Sequence, residues 1–164
     1  MADDFVVDTN VFVWVDKTIA DVNTTVELDC IESCRDWLRD FISRDCRLVI
    51  DNQHRILKEY RRNIRRDRRA YQLLARLESQ PRDRLVELVV AFDENNKAVV
   101  PESVMSVDDD DDRLFVAVAL AHNPIPPIVD ATDTDWEKAR EALTAVGIVV
   151  KELCPTYIAE KLRR

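Results

Sequence analysis

The chain has 164 residues, of which 46% are apolar and 34% are charged, and its net charge at pH 7 is −8. This length fits one core, so we predict a single domain over residues 1–164. The composition excludes a disordered chain, and no apolar stretch approaches the about 20 residues of a membrane-spanning helix. The N-terminal residues are acidic where a secretory signal is basic, so we expect a soluble, cytoplasmic protein.

The first half of the chain predicts two strands, each followed by a helix. A short β-branched run is expected to form a buried strand that ends near Asp8. Residues 29–44 carry apolar side chains at helical spacing. A second strand is predicted over residues 47–51, and Asp51 or Asn52 can cap a long basic helix that begins at about Gln53.

The second half continues the alternation. Residues 83–102 fit either a helix through Phe92 or two strands around a turn, and the sequence leaves this open. We then predict a helix from about Asp110 to Ala121, a strand after the prolines, a helix that ends at Gly147 and a last strand. This order predicts an α/β protein, a three-layer α/β/α sandwich with a central, mostly parallel sheet of four or five strands.

Charge and glycine content narrow the classes of function. Gly147 is the only glycine, which excludes the glycine-rich loops that bind nucleotide phosphates. Residues 55–69 contain eight basic and two acidic residues, a local charge of +6, so the rest of the chain carries −14. Such separation predicts one surface that attracts phosphate and another region that can hold cations.

Acidic residues follow the predicted strands, where parallel sheets form their sites. Asp8 and Asp51 follow the first two strands, and Asp130, Asp133 and Asp135 follow the strand after the prolines. Two carboxylates about 4 Å apart repel by roughly 4 kcal/mol at an effective dielectric constant of 20. A divalent cation relieves that repulsion, and oxygen ligands without histidine or cysteine favour Mg²⁺ or Mn²⁺. Asp51 is interpreted as a helix cap.

Two acidic positions have alternative interpretations. Glu59 shares a helix face with Arg55, Arg62 and Arg66, so it is either in an intrahelical ion pair or a metal ligand flanked by phosphate-binding arginines. The five aspartates of residues 108–112 can cap the following helix, and one of them can also bind metal.

The cysteines form no recognisable metal motif. None of them is part of a CxxC pair or lies beside a histidine, so we interpret all four as reduced, structural thiols: Cys30, Cys34, Cys46 and Cys154. A metal site at Cys30 and Cys34 would require His54 and His122 to converge on them.

Four motifs, in order along the chain, resemble those of the PIN-domain family of nucleases. The first is VVDTNVFV, with Asp8 as its acid and Asn10 as a polar follower. The second is ILKEYRRNI, which carries Glu59, and the third is DRLFVAVALA, which selects Asp112. The fourth is ATDTDW, in which Asp133 matches best. With the C-terminal stretch KELCPTYIAEKL, the resemblance spans roughly residues 3–160.

The resemblance implies an endoribonuclease that cleaves single-stranded or structured RNA with water activated by Mg²⁺ or Mn²⁺. It implies that four acids bind the metal and act in catalysis: Asp8, Glu59, Asp112 and Asp133. Helper groups would be Asn10, Asp111 and Asp135. Nucleic acid would be bound by Arg62, Arg65, Arg66 and Arg69. Some members are toxins of toxin–antitoxin pairs and many form dimers, so an inhibitory antitoxin and a homodimer are the protein partners it suggests.

The chain also departs from the family pattern near the fourth acid. Ala131 stands where the family often has Ser or Thr, and Asp130 occupies a position that is usually apolar. These departures favour the alternative of a catalytically silent PIN-like module that binds protein or RNA. Phosphotransferases of the haloacid dehalogenase type also begin with a strand that ends in Asp, but they need a second Asp where this chain has Asn10.

Overall fold

The structure is a computed structural model that describes residues 3–107 and 109–164. In these residues five strands form one parallel sheet in the order β3-β2-β1-β4-β5. The strands are β1 (Asp4–Val7), β2 (Arg47–Asp51), β3 (Leu85–Leu88), β4 (Ile128–Asp130) and β5 (Val150–Glu152). The predicted three-layer α/β/α architecture is confirmed, and the sheet is parallel throughout the described residues.

Helices flank the sheet, and all of those described except the last lie on the connections between strands. They are α1 (Thr9–Asp16), α2 (Thr25–Ser43), α3 (Arg55–Asn63), α4 (Arg69–Ser79), α5 (Pro81–Arg84), α6 (Asp110–Ala121), α7 (Thr134–Lys138), α8 (Arg140–Ala145) and α9 (Pro155–Leu162). Helix α6 packs against β1, β2 and β4. Among the described residues, no helix has the length and apolar character needed to cross a membrane.

The three central strands are continuous apolar runs because helices cover the sheet. Val6, Leu48, Val49, Ile128 and Val129 are fully buried. Each of the strands β1, β2 and β4 is followed by an aspartate at or just beyond its carboxyl end. Asp51 accepts hydrogen bonds from the N–H groups of Gln53, Arg55 and Ile56, which confirms its predicted role as a cap.

Three helices differ from the prediction. Helix α1 begins directly after Asp8, in a segment whose β-branched residues favour a strand, and Asp8 caps it by accepting from the N–H of Asn10. The long basic helix is divided into α3 and α4, since Ile64 is extended and buried between them. The helix before Gly147 is divided into α7 and α8.

Residues 83–102, which the sequence left open, contain the end of a short helix and a strand. Helix α5 leads into β3, which pairs with β2 at the edge of the sheet. Beyond β3, an isolated antiparallel bridge joins Phe92 to Ala98.

The prediction that all four cysteines are reduced is wrong for two of them. Cys30 on α2 is disulfide-bonded to Cys154, which immediately precedes α9, across a sequence separation of 124 residues. Cys34 and Cys46 are free and buried. The histidines lie elsewhere, His54 against Glu87 and His122 against Asp4. No local spacing signals a bond over such a separation, which is why the sequence pattern missed it.

Candidate metal centre

Asp8 lies where β1 ends and α1 begins, and it is 5% exposed. One carboxylate oxygen, Oδ1, accepts from the backbone N–H of Asn10 at 3.0 Å. The other, Oδ2, accepts a hydrogen bond from the indole N–H of Trp136 on α7. Both oxygens are therefore held in place by the protein.

Asp112 lies in the first turn of α6 and is 9% exposed. Asp109 caps this helix, and its Oδ1 accepts from the N–H groups of Asp111 at 2.8 Å and Asp112 at 3.3 Å. The turn is acidic because carboxylates stabilise a helix N-terminus. The contacts of α6 with β1 and β4 bring the Asp112 carboxylate to the carboxyl end of the sheet.

Asp133 lies beyond β4 and caps the short helix α7. Its carboxylate accepts from the N–H of Asp135 at 2.8 Å, and its own N–H donates to Oδ1 of Asp130 at 3.2 Å. This tight turn follows directly from the end of the strand, so Asp133 faces the same edge of the sheet as Asp8.

These three aspartates form the acidic cluster: Asp8, Asp112 and Asp133 each offer a carboxylate oxygen, and the three oxygens lie within 4.8 Å of one another. Burial, together with the neighbouring carboxylates, raises the pKa of Asp8 to about 6 and the pKa of Asp112 to about 8. The pKa of Asp133 is also raised, mainly by burial. The cluster must therefore hold protons or a cation at neutral pH.

Asn10 and Asp130 connect the ends of β1 and β4 beside the acidic cluster. The Asn10 amide donates to Oδ1 of Asp130 at 2.8 Å and accepts from the N–H of Ala131 at 3.0 Å. Asp130 is fully buried, and burial with the nearby Asp8 charge raises its pKa to about 8. Within the described chain, Oδ2 of Asp130 and the hydroxyl of Thr9 have no hydrogen-bond partner.

The structure does not bring Glu59 into the acidic cluster. One of its oxygens pairs with Arg62, and the other accepts from the side-chain amide of Asn63 at 2.7 Å. Helix α3 is held beside the site by Tyr60, whose hydroxyl donates to the carbonyl of Val7 at 2.5 Å. Burial and the charge of Asp111 raise the pKa of Glu59.

A cavity of about 300 Å³ opens over the acidic cluster. Its lining contains the three clustered aspartates and Glu59, together with Asn10, Asp109, Asp111 and Asp135. The predicted helpers differ in their contacts: Asp111 lies 3.9 Å from Arg62, and Asp135 pairs with Lys138 at 2.7 Å. Asp108, interpreted as part of the helix cap, lies outside the described residues.

Two cavities with basic lining residues adjoin this cavity. A cavity of about 590 Å³ shares Asp111 with it and is lined by Arg55, Lys58, Arg62 and Lys97. Another cavity, of about 390 Å³, shares Val13 and Asn63 with it and is lined by Lys17, Arg65 and Arg68. We call these the first and second basic flanks.

The predicted nucleic-acid arginines are therefore separated. Arg62 belongs to the first flank and Arg65 to the second, whereas Arg66 and Arg69 line neither. The single helical face that would carry Arg66 with Glu59 does not exist, because α3 ends at Asn63.

The donor set fits a hard divalent cation. Three carboxylates and no thiolate or imidazole converge in the acidic cluster, and oxygen ligands of this kind suit Mg²⁺ and Mn²⁺. Burial is the main cause of the raised pKa values of Asp8 and Asp112, and the neighbouring carboxylates add to it. A cation would supply the missing positive charge.

One residue of the site was missed from the sequence, and another was noted without a role. Trp136 reaches Asp8 across 128 positions, and an indole N–H next to a carboxylate has no local signature. Asp130 was noted among the acids at the strand ends and as an unusual residue in an apolar strand, but it was given no role. That departure was the available signal, because a buried acid requires a partner, here Asn10.

Comparison with known protein families, with curated proteins and with solved structures gives no match. The likeness to the PIN-domain family therefore rests on the sequence motifs alone.

Proposed function

We propose that the protein is a Mg²⁺- or Mn²⁺-dependent nuclease that hydrolyses phosphodiester bonds in RNA. The observation that carries the proposal is the convergence of Asp8, Asp112 and Asp133 at the carboxyl end of a parallel sheet. Parallel α/β sheets bind their ligands at this edge. Raised pKa values for all three carboxyls support a site that binds a cation.

Asp8, Asp112 and Asp133 would hold the metal ion. A bound Mg²⁺ or Mn²⁺ lowers the pKa of a water ligand and polarises a phosphate oxygen. Trp136 and Asn10 fix the orientation of Asp8 through hydrogen bonds to its two oxygens, so little reorganisation is needed on binding. Glu59, on the cavity wall, can accept a proton from a reacting water if its pairing with Arg62 opens.

The basic flanks suggest how the substrate lies. A nucleic-acid strand that crosses the acidic cavity would place phosphates against basic residues on both sides of the scissile bond. The acidic cavity, with the cation in place, then accommodates the phosphate between them. Single-stranded RNA fits this arrangement because its backbone can follow a groove lined by basic side chains.

Cleavage of labelled single-stranded RNA is the test. We expect cleavage by purified protein with Mn²⁺, none with EDTA, and a loss of at least 100-fold in Asp112→Asn. Asp110→Asn is a matched control, because Asp110 lies in the same helical turn and pairs with Lys97 rather than joining the acidic cluster. Cleavage that survives EDTA or Asp112→Asn would refute the proposal, and the same assay with DNA separates the two nucleic acids.

A catalytically silent module is the second candidate, and the state of Glu59 favours it. Both Glu59 oxygens are engaged, by Arg62 and Asn63, so three acids rather than four converge in the acidic cluster. Such a module would bind RNA through the basic flanks without cleaving it. RNA binding that needs the flanks, with no cleavage in Mn²⁺, would select this candidate.

For a protein inhibitor, we propose only the chemistry by which it would bind. An antitoxin-like partner would place a basic side chain in the acidic cavity, where it would replace the cation. Inhibition relieved by excess Mn²⁺ is the expected behaviour of such a partner. A homodimer remains a prediction from the family resemblance, and size-exclusion chromatography with light scattering tests it.

A further inference from the structure

A second group of potential ligands lies between α2 and the start of α9, and we call it the cysteine cluster: Cys30, Cys34 and Cys154. Cys30 and Cys34 are one turn apart on α2, and Cys154 precedes Pro155, the first residue of α9. All three side chains are at most 4% exposed, and their sulfurs lie within 4.8 Å of one another.

Burial of a single cysteine does not indicate a ligand site, because a free cysteine packs like a small apolar residue. Cys46 is such a case, since it is buried outside the cysteine cluster. Three sulfurs that converge from two distant parts of the chain are different. Thiolate groups in this arrangement are the ligands that soft cations prefer.

We propose that the cysteine cluster, once its disulfide is reduced, binds one soft cation of the Zn²⁺ or Cu⁺ type through the three sulfurs. Zinc–sulfur bonds of about 2.3 Å in tetrahedral geometry place neighbouring sulfurs about 3.8 Å apart. The sulfurs of Cys34 and Cys154 already lie 3.9 Å apart. Only Cys30, which is bonded to Cys154 in the oxidised form, has to move away.

Reduction of the disulfide and binding of the cation each conserve atoms and electrons. A dithiol reductant supplies two electrons and two protons, is itself oxidised to a disulfide, and leaves Cys30 and Cys154 as thiols. Cation binding then releases thiol protons to solvent as the sulfurs become thiolates. Burial and the nearby Asp130 charge raise the pKa of Cys34 to about 12, and a soft cation supplies the positive charge that a buried thiolate needs.

Zn²⁺ and Cu⁺ differ in the number of ligands they need. Three sulfurs complete a trigonal Cu⁺ site, whereas Zn²⁺ takes four ligands and requires one more. The proposal does not depend on nuclease activity, because the cysteine cluster shares no residue with the acidic cluster.

The experiment is a competition titration of the reduced full-length protein, against a chromophoric chelator, with Zn²⁺ and Cu⁺ in separate arms. The Asp112→Asn background weakens the acidic cluster, so that binding reports the cysteines. We expect one equivalent to bind the reduced protein and none to bind the oxidised protein. Co²⁺ used as a spectroscopic probe should give thiolate-to-metal charge-transfer absorption in the reduced form.

Matched variants assign the ligands. Cys34→Ser should weaken binding at least tenfold, and Cys46→Ser, which changes a buried cysteine outside the cysteine cluster, should leave it unchanged. If Cys34→Ser does not fold, the comparison of cation binding by the reduced and the oxidised protein still tests the proposal. Absence of binding by the reduced protein, equal binding by both redox forms, or undiminished binding by a folded Cys34→Ser variant would overturn the proposal.

Discussion

The aspartates at the start of α6 carry the same charge but differ in burial. The side chains of Asp110 and Asp111 are 55% and 54% exposed, whereas Asp112 as a residue is 9% exposed. A solvated carboxylate loses little by staying ionised, but a buried one must find a cation or keep its proton. Asp112 is therefore the member of the run that the surroundings make suitable for metal binding.

The first prediction concerns the pH dependence of stability in EDTA. Because folding raises the pKa of Asp112 from 3.8 to about 8, the folded chain keeps a proton that the unfolded chain releases between those values. The free energy of unfolding should therefore fall as pH rises from about 4 to about 8. Asp112→Asn removes the titrating carboxyl and with it this fall in the free energy of unfolding. At pH 8 the variant should therefore unfold at a higher temperature than the wild type.

Thermal unfolding at pH 4 and pH 8 measures this effect. A gain of about 1 kcal/mol at pH 8 corresponds to roughly 2–4 °C for a chain of this size. At pH 4 the wild-type carboxyl is protonated, so the two proteins should melt at similar temperatures. A difference that is the same at both pH values would show that the acidic cluster is not the cause.

The second prediction concerns Trp136, whose indole N–H donates to Oδ2 of Asp8. Trp136→Phe keeps an aromatic ring in the core but removes the donor, so Asp8 loses its fixed orientation. We expect Mn²⁺ affinity to fall about 10–100-fold. Isothermal titration measures the affinity, and Trp37→Phe is the control, since Trp37 packs against Phe5 and Phe41. Unchanged affinity in Trp136→Phe would contradict the positioning role.

At the scale of elements, the break between α3 and α4 determines which arginines face the site. Ile64 turns into the core in an extended conformation, and the chain resumes as a helix at Arg69. Arg65 and Arg68, which lie between the two helices, line the second basic flank with Lys17. The basic surface is consequently composed of several elements rather than one helical face.

The third prediction tests the second basic flank. Arg68→Ala should weaken binding of a labelled single-stranded RNA and reduce the salt slope of the binding constant by about 0.7–1, because one phosphate contact is lost. Arg66→Ala is the matched control, as Arg66 carries the same charge and lines neither flank. Fluorescence anisotropy in EDTA measures binding without cleavage. Equal effects of the two substitutions would contradict a role of the second basic flank, because RNA would then be held only by nonspecific electrostatic attraction.

The sequence predicts those features of the fold that follow from local pattern. Buried strands, the capping role of Asp51 and the helix Asp110–Ala121 are all visible as apolar periodicity and caps. The start of α1 and the break at Ile64 are not, because tertiary burial overrides the local preference there. For the site, strand ends and motif order identify the three clustered aspartates. The hydrogen bond from Trp136 and the ion pair that occupies Glu59 depend on three-dimensional packing.

At the scale of the whole molecule, the Cys30–Cys154 disulfide connects α2 to the C-terminal helix. Beside it, Tyr157 on α9 packs edge-on against Trp14 of α1 at 5.3 Å between ring centroids. The Trp14 indole in turn donates to the hydroxyl of Thr132, next to Asp133, at 2.8 Å. The last helix therefore supports, through Trp14, the two segments that carry Asp8 and Asp133.

The fourth prediction is that reduction destabilises the metal-free protein. A disulfide that closes a loop of more than 100 residues contributes up to about 4–5 kcal/mol by restricting the unfolded chain. Reduction should therefore lower the melting temperature markedly. Cys154→Ser, which cannot form the bond, should already melt low and show no further drop on reduction. A wild-type melting temperature that does not respond to reduction would contradict this account.

The central claim is that the acidic cluster binds a divalent cation, and isothermal titration with Mn²⁺ tests it most directly. The wild type is compared with Asp112→Asn and with Asp135→Asn, which alters a carboxylate at the cavity rim that pairs with Lys138. The account predicts saturable binding by the wild type, loss of binding in Asp112→Asn and near-normal binding in Asp135→Asn. No binding by the wild type, or binding that Asp112→Asn leaves intact, would contradict it.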